Sequence, residues 1–219
     1  MWNSQVIIML LEGIRDTLYM TLASTLFGYI IGLPMGIVLT VTDKDGIRPN
    51  TAVYKVLDVI SNLLRSIPFI ILLIVLIPFT RFVVGRSYGS TATIVPLTIA
   101  AAPYIARMVE SSLKEVDAGV IEAARSMGAS DFQIVTKVML VEARTSLIVG
   151  ATISLGTILG YSAMAGTVGG GGLGDIAIRY GYTRWQTDIM IVTVILLIIL
   201  FQIFQTVGMK LADKFDHRK

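Results

Sequence analysis

The chain predicts an all-α integral membrane protein with five transmembrane helices, and three observations carry that prediction. Of 219 residues, 54% are hydrophobic and 15% charged, where a soluble domain carries roughly a quarter charged residues; the mean hydropathy is +0.77. Two stretches, Thr17 to Thr42 and Thr145 to Gly174, hold no Asp, Glu, Lys or Arg, and each exceeds the about 20 apolar residues a bilayer span needs. Most remaining charge gathers in short segments between apolar runs, as loops at a membrane surface require.

The elements follow in order. Met1 to Asp16 has neither a basic n-region nor a small-residue cleavage site, which speaks against a signal peptide. Ile7, Ile8, Leu11 and Ile14 make residues 1–16 an amphipathic segment suited to the membrane surface. The five-span apolar region, 17–209, begins with the first span, where Gly28, Gly32, Pro34 and Gly36 form a small-residue pattern suited to close helix packing. Residues 42–50 are a polar turn with Gly46 and Pro49. The second span starts at Thr51. Only Ser66 to Thr80 is free of charge there, too short to cross alone, so the helix begins before Arg65, which sits near the interface or faces protein.

Pro68 and Pro78 bracket the apolar part of that span, and 81–90 is a basic loop containing glycine. The third span, Thr91 to Ala106, carries Pro96 and Pro103 and ends at Arg107. The fourth starts at Thr145 and dissolves into the tract from Gly166 to Gly174. Residues 175–188 read as a polar loop with Tyr180, Tyr182 and Trp185 as interface anchors. Ile189 to Met209 is the fifth span, and 210–219 a charged tail. Prolines at 34, 68, 78, 96 and 103 either kink helices around a cavity or reflect ordinary packing irregularity.

Charge asymmetry orients the chain. With the C-terminus cytoplasmic, thirteen of the eighteen Lys and Arg lie inside, and Arg15, Arg81, Arg86, Arg179 and Arg184 lie outside. The positive-inside rule therefore puts the N-terminus outside and residues 117–144 in the cytoplasm. No cysteine is present, and the one histidine, His217, is in the tail; no metal site and no catalytic residue is expected. Gly169, Gly171 and Gly174 match G-x-G-x-x-G in letters only, since no strand precedes them. There is no G-x-x-x-x-G-K-[ST] for ATP. Apart from Arg65, no charge sits deep in a span, which argues against proton coupling. A solute pathway through such a chain would draw its energy from a partner, and five helices are few for enclosing one, so a symmetric pair would be expected.

Residues 117–144, DAGVIEAARSMGASDFQIVTKVMLVEAR, stand out between two spans. Val120 to Met127 is rich in helix formers and ends at Gly128, suited to a left-handed cap. Ser130 with Gln133 has capping-box spacing, and Phe132, Val135, Val138 and Met139 fall on one face of a 3.6-residue period. The prediction is two short helices at the membrane surface. Glu122-Ala123-Ala124, then Gly128, then Val138 and Leu140 resemble the EAA loop of ABC-importer permeases, although Val141 stands where that family usually has Pro. The resemblance implies that Glu122, Ala123, Ala124, Arg125 and Gly128 form a coupling element docking into a groove on a cytoplasmic ATPase.

Over nearly the whole length the chain resembles the methionine ABC importer permeases, most closely at Arg65 to Leu73, Ile77 to Arg81, Ala101 to Glu110 and Gly160 to Met164. That resemblance implies the type I importer permease fold, a homodimer, two cytoplasmic ABC ATPase subunits and an extracytoplasmic substrate-binding lipoprotein. ATP and Mg would sit on the ATPase subunits and no cofactor on this chain. It also implies a multi-pass protein of the bacterial inner membrane, in contact with the lipid bilayer and a small amino-acid solute, with no nucleic-acid partner. A permease for another amino acid, betaine or phosphonate, or a membrane scaffold without transport, are the rival readings. Tyr161, Ser162 and Met164 are candidate pathway residues, because polarizable Met164 and amphipathic Tyr161 could meet a thioether weakly. The alternative is that they pack a dimer interface. The glycine tract beside them is either a flexible extracytoplasmic loop or irregular backbone lining a pathway.

Overall fold

A computed structural model describes residues 4–215, and all its regular structure is helical. Helix α1, Ser4–Thr42, runs 39 residues without a break at Asp16, so the surface segment expected at 1–16 continues as helix into the first span. Helix α2, Thr51–Ser66, stops before Pro68, which caps the short α3, Phe69–Val75. The following α4, Ile77–Val84, has Pro78 in its first turn. Both prolines therefore start helices, where the missing N–H costs nothing. Helix α5, Ser90–Lys114, continues past Arg107.

The segment expected as two short helices is α6, Ala118–Ser126, and α7, Asp131–Gln133, followed by a π-helical stretch, Ile134–Met139, and α8, Leu140–Glu142. Helix α9 is Arg144–Ala165, α10 is Gly172–Ile176, and α11 is Thr187–Phe215. A second π-helical stretch, Ala177–Tyr182, lies inside the region expected to be a loop at 175–188. The loop proper is short and includes Trp185 at φ 57°. Among the described residues, four helical stretches are long and apolar enough to cross a membrane: Ser4–Thr42, Ser90–Lys114, Arg144–Tyr182 and Thr187–Phe215. A fifth span exists if the broken pair Thr51–Ser66 and Phe69–Val75 counts as one.

Two compact units divide the chain. The first gathers Met1–Phe27, Ile67–Ala101 and Leu155–Gln205. Its core packs Leu10, Leu159, Leu173, Ile176, Ile189 and Leu200. The glycine tract is knitted into this unit. Gly89 N–H donates to the Gly169 carbonyl (2.9 Å), Thr93 Oγ1 to the Gly170 carbonyl (3.2 Å), and Leu173 N–H to Thr17 Oγ1 (2.9 Å). Leu173 is fully buried. Irregular backbone in an apolar setting persists because such partners satisfy it, so the tract is packed structure and not a free loop.

The second unit comprises Gly28–Ser66, Ala102–Ser154 and Thr206–Lys219. Here α1 and α5 approach closely. A Cβ on Gly32 would lie 2.6 Å from the Ala102 carbonyl oxygen, and one on Gly36 would lie 2.5 Å from that of Ala106. Gly32/Gly36 against Ala102/Ala106 is the small-residue contact the spacing predicts.

An ionic cluster occupies the same unit. Arg107 pairs with Asp58 and, at 2.6 Å, with Glu110. Lys114 pairs with Glu110 (2.8 Å) and Asp43 (2.6 Å). The Arg107 and Glu110 side chains are 18% and 6% exposed. Arg107 therefore does not mark the end of the third helix. These charges survive burial because each faces an opposite charge, on α5 itself, on α2 or in the turn after α1.

Candidate functional site

The coupling candidates sit on a segment whose local sequence determines its shape. Asp117 caps α6 by accepting from Gly119 N–H at 2.8 Å. At the other end Gly128 adopts φ +82°. Ala129 N–H bonds the Ala124 carbonyl (3.1 Å) and Gly128 N–H bonds that of Arg125 (3.0 Å). This pair of bonds is the Schellman C-cap, which needs a left-handed residue at the glycine position. Ser130 then opens α7 with a complete capping box, its N–H donating to Gln133 Oε1 at 2.9 Å. Ser130→Ala should cost about 1 kcal/mol of local helix stability, read as faster amide hydrogen exchange at 131–134. Unchanged exchange there would show that the cap contributes nothing.

Glu122, Ala123, Arg125 and Gly128 are exposed, whereas Ala124 is 5% exposed and faces inward. Met127 and Phe132 project as the largest apolar groups of the segment, 82% and 76% exposed. The single apolar face expected for Phe132, Val135, Val138 and Met139 is not formed. Ile134, Val135 and Met139 are buried while Phe132 points out. The physical reason is the π-helical stretch from Ile134, whose wider turn breaks the 3.6-residue register assumed from the sequence. The exposed surface thus offers a carboxylate, a guanidinium and two large apolar side chains around a small-residue centre.

Arg125 is also held from within the chain. Its Nη2 donates to the Ile47 carbonyl at 2.7 Å and lies 3.9 Å from Asp131. Ile47 belongs to the turn after α1, whose first residue, Asp43, meets Lys114. The hydrogen bond from Lys114 holds the Asp43 carboxyl below the usual carboxylate range, against the effect of burial. A cavity of about 430 Å³ lies between this turn, α5 and α6, lined by Asp43, Asp45, Ile47, Lys114, Glu122 and Arg125 among others.

The three pathway candidates belong to the first unit and differ in what they expose. Tyr161 is half-buried, and its ring stacks on Phe69 with centroids 4.6 Å apart and planes at 3°. Ser162 is 1% exposed and donates to the Leu159 carbonyl at 2.8 Å. Its hydroxyl is used within its own helix, so it offers no free donor to a solute. Met164 is 46% exposed. Phe69, which sequence reasoning missed, sits directly after Pro68, and the start of a helix there was the available signal. The ionic cluster was missed as well. Its signal was the spacing Arg107, Glu110, Lys114, which places three charges on one helical face. Among the described residues no group of acidic or histidine side chains could hold a metal ion. His217 lies outside the described residues.

Comparison with known proteins adds a separate line of argument. The sequence pattern of the family described as binding-protein-dependent transport system inner membrane component matches residues 19–218. The probable D-methionine transport system permease protein MetI of Vibrio cholerae is 48% identical over 210 residues, covering 96% of this chain and 93% of that protein. The D-methionine transport system permease protein MetI of Escherichia coli K12 is 54% identical over 158 residues, covering 72% of this chain and 73% of that protein. A chain from inward-facing conformations of the MetNI methionine ABC transporter overlays with a TM-score of 0.97 at 47% identity, covering 99% of this chain and 100% of that one.

Proposed function

Because the chain belongs to the family of binding-protein-dependent transport system inner membrane components, we propose that it is the membrane permease subunit of an ATP-driven methionine importer. It is a subunit of a transporter and not an enzyme. Two copies form the translocation pathway, and two cytoplasmic ABC ATPases, which carry the ATP and Mg, dock on residues 117–144. An extracytoplasmic binding protein delivers D- or L-methionine. The observation that carries this reading is the end-to-end overlay on a chain of a methionine ABC transporter. The EAA segment supports the docking role, since α6 presents Glu122, Ala123 and Arg125 outward and Met127 is exposed at its C-cap.

The same reading places the N-terminus outside, the C-terminus inside and five spans in a bacterial inner membrane, as the positive-inside bias argues. A cytoplasmic reporter fused after Lys219 should be active, and an active extracytoplasmic enzyme fused there would overturn the orientation. Function itself is tested in proteoliposomes holding this chain, its ATPase and its binding protein. Labelled D- and L-methionine should enter with ATP hydrolysis, and other amino acids, betaine and phosphonates should not. Methionine-independent hydrolysis without uptake would leave the scaffold reading standing.

The pathway assignment narrows to Tyr161 and Met164. Substituting Tyr161→Ala removes the ring stacked on Phe69, an aromatic contact of about 0.5–1.5 kcal/mol, and frees the start of α3. Met164→Ala removes an exposed polarizable side chain. Either variant should alter uptake or raise the ATP hydrolysed per methionine, with assembled complex retained. In this cysteine-free chain, Met164→Cys should react with a small aqueous thiol reagent in at least one nucleotide state. Inertness in every state, together with normal uptake by both alanine variants, would remove this region from the pathway.

A further inference from the structure

The ionic cluster on α5 and the coupling segment meet at one short turn. Residues 43–50 are bonded at almost every step. Lys44 N–H donates to Asp43 Oδ1 (2.7 Å), Gly46 N–H to the Asp43 carbonyl (3.0 Å), Arg48 N–H to that of Val41 (3.0 Å) and Asn50 N–H to that of Thr42 (2.9 Å). Asn50 in turn caps α2, its Oδ1 accepting from Val53 N–H at 3.2 Å. So dense a turn moves as a body and does not bend. It is gripped at two places. Arg125 of α6 holds the Ile47 carbonyl at 2.7 Å, and Lys114 of α5 holds Asp43 at 2.6 Å. Beside these grips a cavity of about 430 Å³ opens between the turn, α5 and the face of α6 that carries Ile121, Glu122 and Arg125, while Ala124 packs inward.

The consequence follows from what touches what. On the cavity side, the Arg125 contact ties α6 to the turn. From Asp43 the load passes to Lys114, then to Glu110 and Arg107 on the same face of α5, and across to Asp58 on α2. Asn62 of α2 adds a contact to Arg107 at 3.1 Å. Discrete pairs of this kind can carry energetic coupling where close packing is missing.

We propose that the turn 43–50 is a strut that transmits movement of the ATPase-docking helix α6 to α5 and α2, with Arg125, Asp43 and Lys114 as its positioning residues. The strut rests on the reading of α6 as the docking element. None of these side chains meets solute or nucleotide in this role; they set how docking and the membrane helices move together.

The test uses the full complex in proteoliposomes and reads ATP hydrolysed per methionine imported. Lys114→Met removes the charge and keeps the chain length, and should raise that ratio roughly fivefold or more, the lower end of a typical coupling between sites. Lys114→Arg keeps the charge and should restore a near-normal ratio. Arg125→Gln should raise the ratio similarly, and the double variant should do no worse than either single one, because both act on one path. Should Lys114→Met assemble poorly, Asp43→Asn with Lys114→Met removes both charges together and gives the same reading. Assembled Lys114→Met, or that double variant, with the wild-type ratio overturns the strut; so does strict additivity with Arg125→Gln. Glu122→Lys, on the outer face of α6, separates the two ideas. If it uncouples while Lys114→Met does not, only the strut fails. If neither changes uptake or ATPase activity, the docking reading fails with it.

Discussion

Glu110→Ala should be among the most destabilising single changes in the chain, costing about 3–5 kcal/mol, the range for removing one partner of a buried ion pair. Its carboxylate is 6% exposed and accepts from Arg107 Nη1 at 2.6 Å and Lys114 Nζ at 2.8 Å. The Tyr54 hydroxyl adds a longer contact at 3.4 Å. Deleting the carboxylate leaves Arg107 with Asp58 and Lys114 with Asp43 as their remaining ion partners, so each cation loses one carboxylate. The cluster alternates in sign through Asp58, Arg107, Glu110, Lys114 and Asp43, so Glu110 is its middle member. Glu110→Gln keeps the shape and an acceptor, and should lose less. The check is thermal unfolding of the detergent-solubilised protein, wild type against both variants. If Glu110→Ala unfolds with the wild type, the buried charges contribute nothing net.

What the sequence reveals and what it hides follows from how each signal arises. Spans were readable because hydrocarbon tolerates few charges, and runs such as 17–42 have no other simple explanation. Gly128 and Ser130 were readable because caps depend on residue types at fixed offsets, and both form as expected. Close helix packing at Gly32 and Gly36 was readable for the same local reason, although not that α5 is the partner.

The failures share a different cause. A π-helical turn uses the same residues as an α-helix and depends on what packs against it, so Phe132 was placed on the wrong face and 177–182 was read as loop. Counting charge along the chain treats Arg107 as a boundary. It cannot see that Glu110, Asp58 and Lys114 gather around it in space and make its burial tolerable. The glycine tract misled in the same way. Its composition permits a free loop, and Thr17, Gly89 and Thr93, distant in sequence, reveal that its backbone is bonded. For the candidate site, the caps and the turn at Gly128 were legible, whereas the grip of Arg125 on Ile47 was not.

Gly128→Val should lower uptake roughly tenfold while the spans still insert, and the geometry separates strain from collision. Gly128 sits at φ +82°, and a Cβ there would meet nothing within 4 Å. Space is therefore not the obstacle. A β-branched residue in the left-handed region costs roughly 1–2 kcal/mol or more, which works against the two bonds that close the cap, Ala129 N–H to Ala124 and Gly128 N–H to Arg125. Opening the cap frees Ala124, whose side chain is the buried one in α6, and tilts the outward face that carries Glu122, Ala123 and Arg125. If that face docks the ATPase only when capped, a strain of that size cuts the competent fraction, and with it apparent docking affinity, about tenfold. Asparagine enters the left-handed region more readily than other side chains, so Gly128→Asn should stay near wild type although it adds bulk. Pull-down of the ATPase by each variant and methionine uptake in proteoliposomes measure the two consequences separately. A Gly128→Val protein that binds the ATPase and imports methionine like the wild type, alongside an equally normal Glu122→Lys, would show that α6 is not the element through which hydrolysis is coupled.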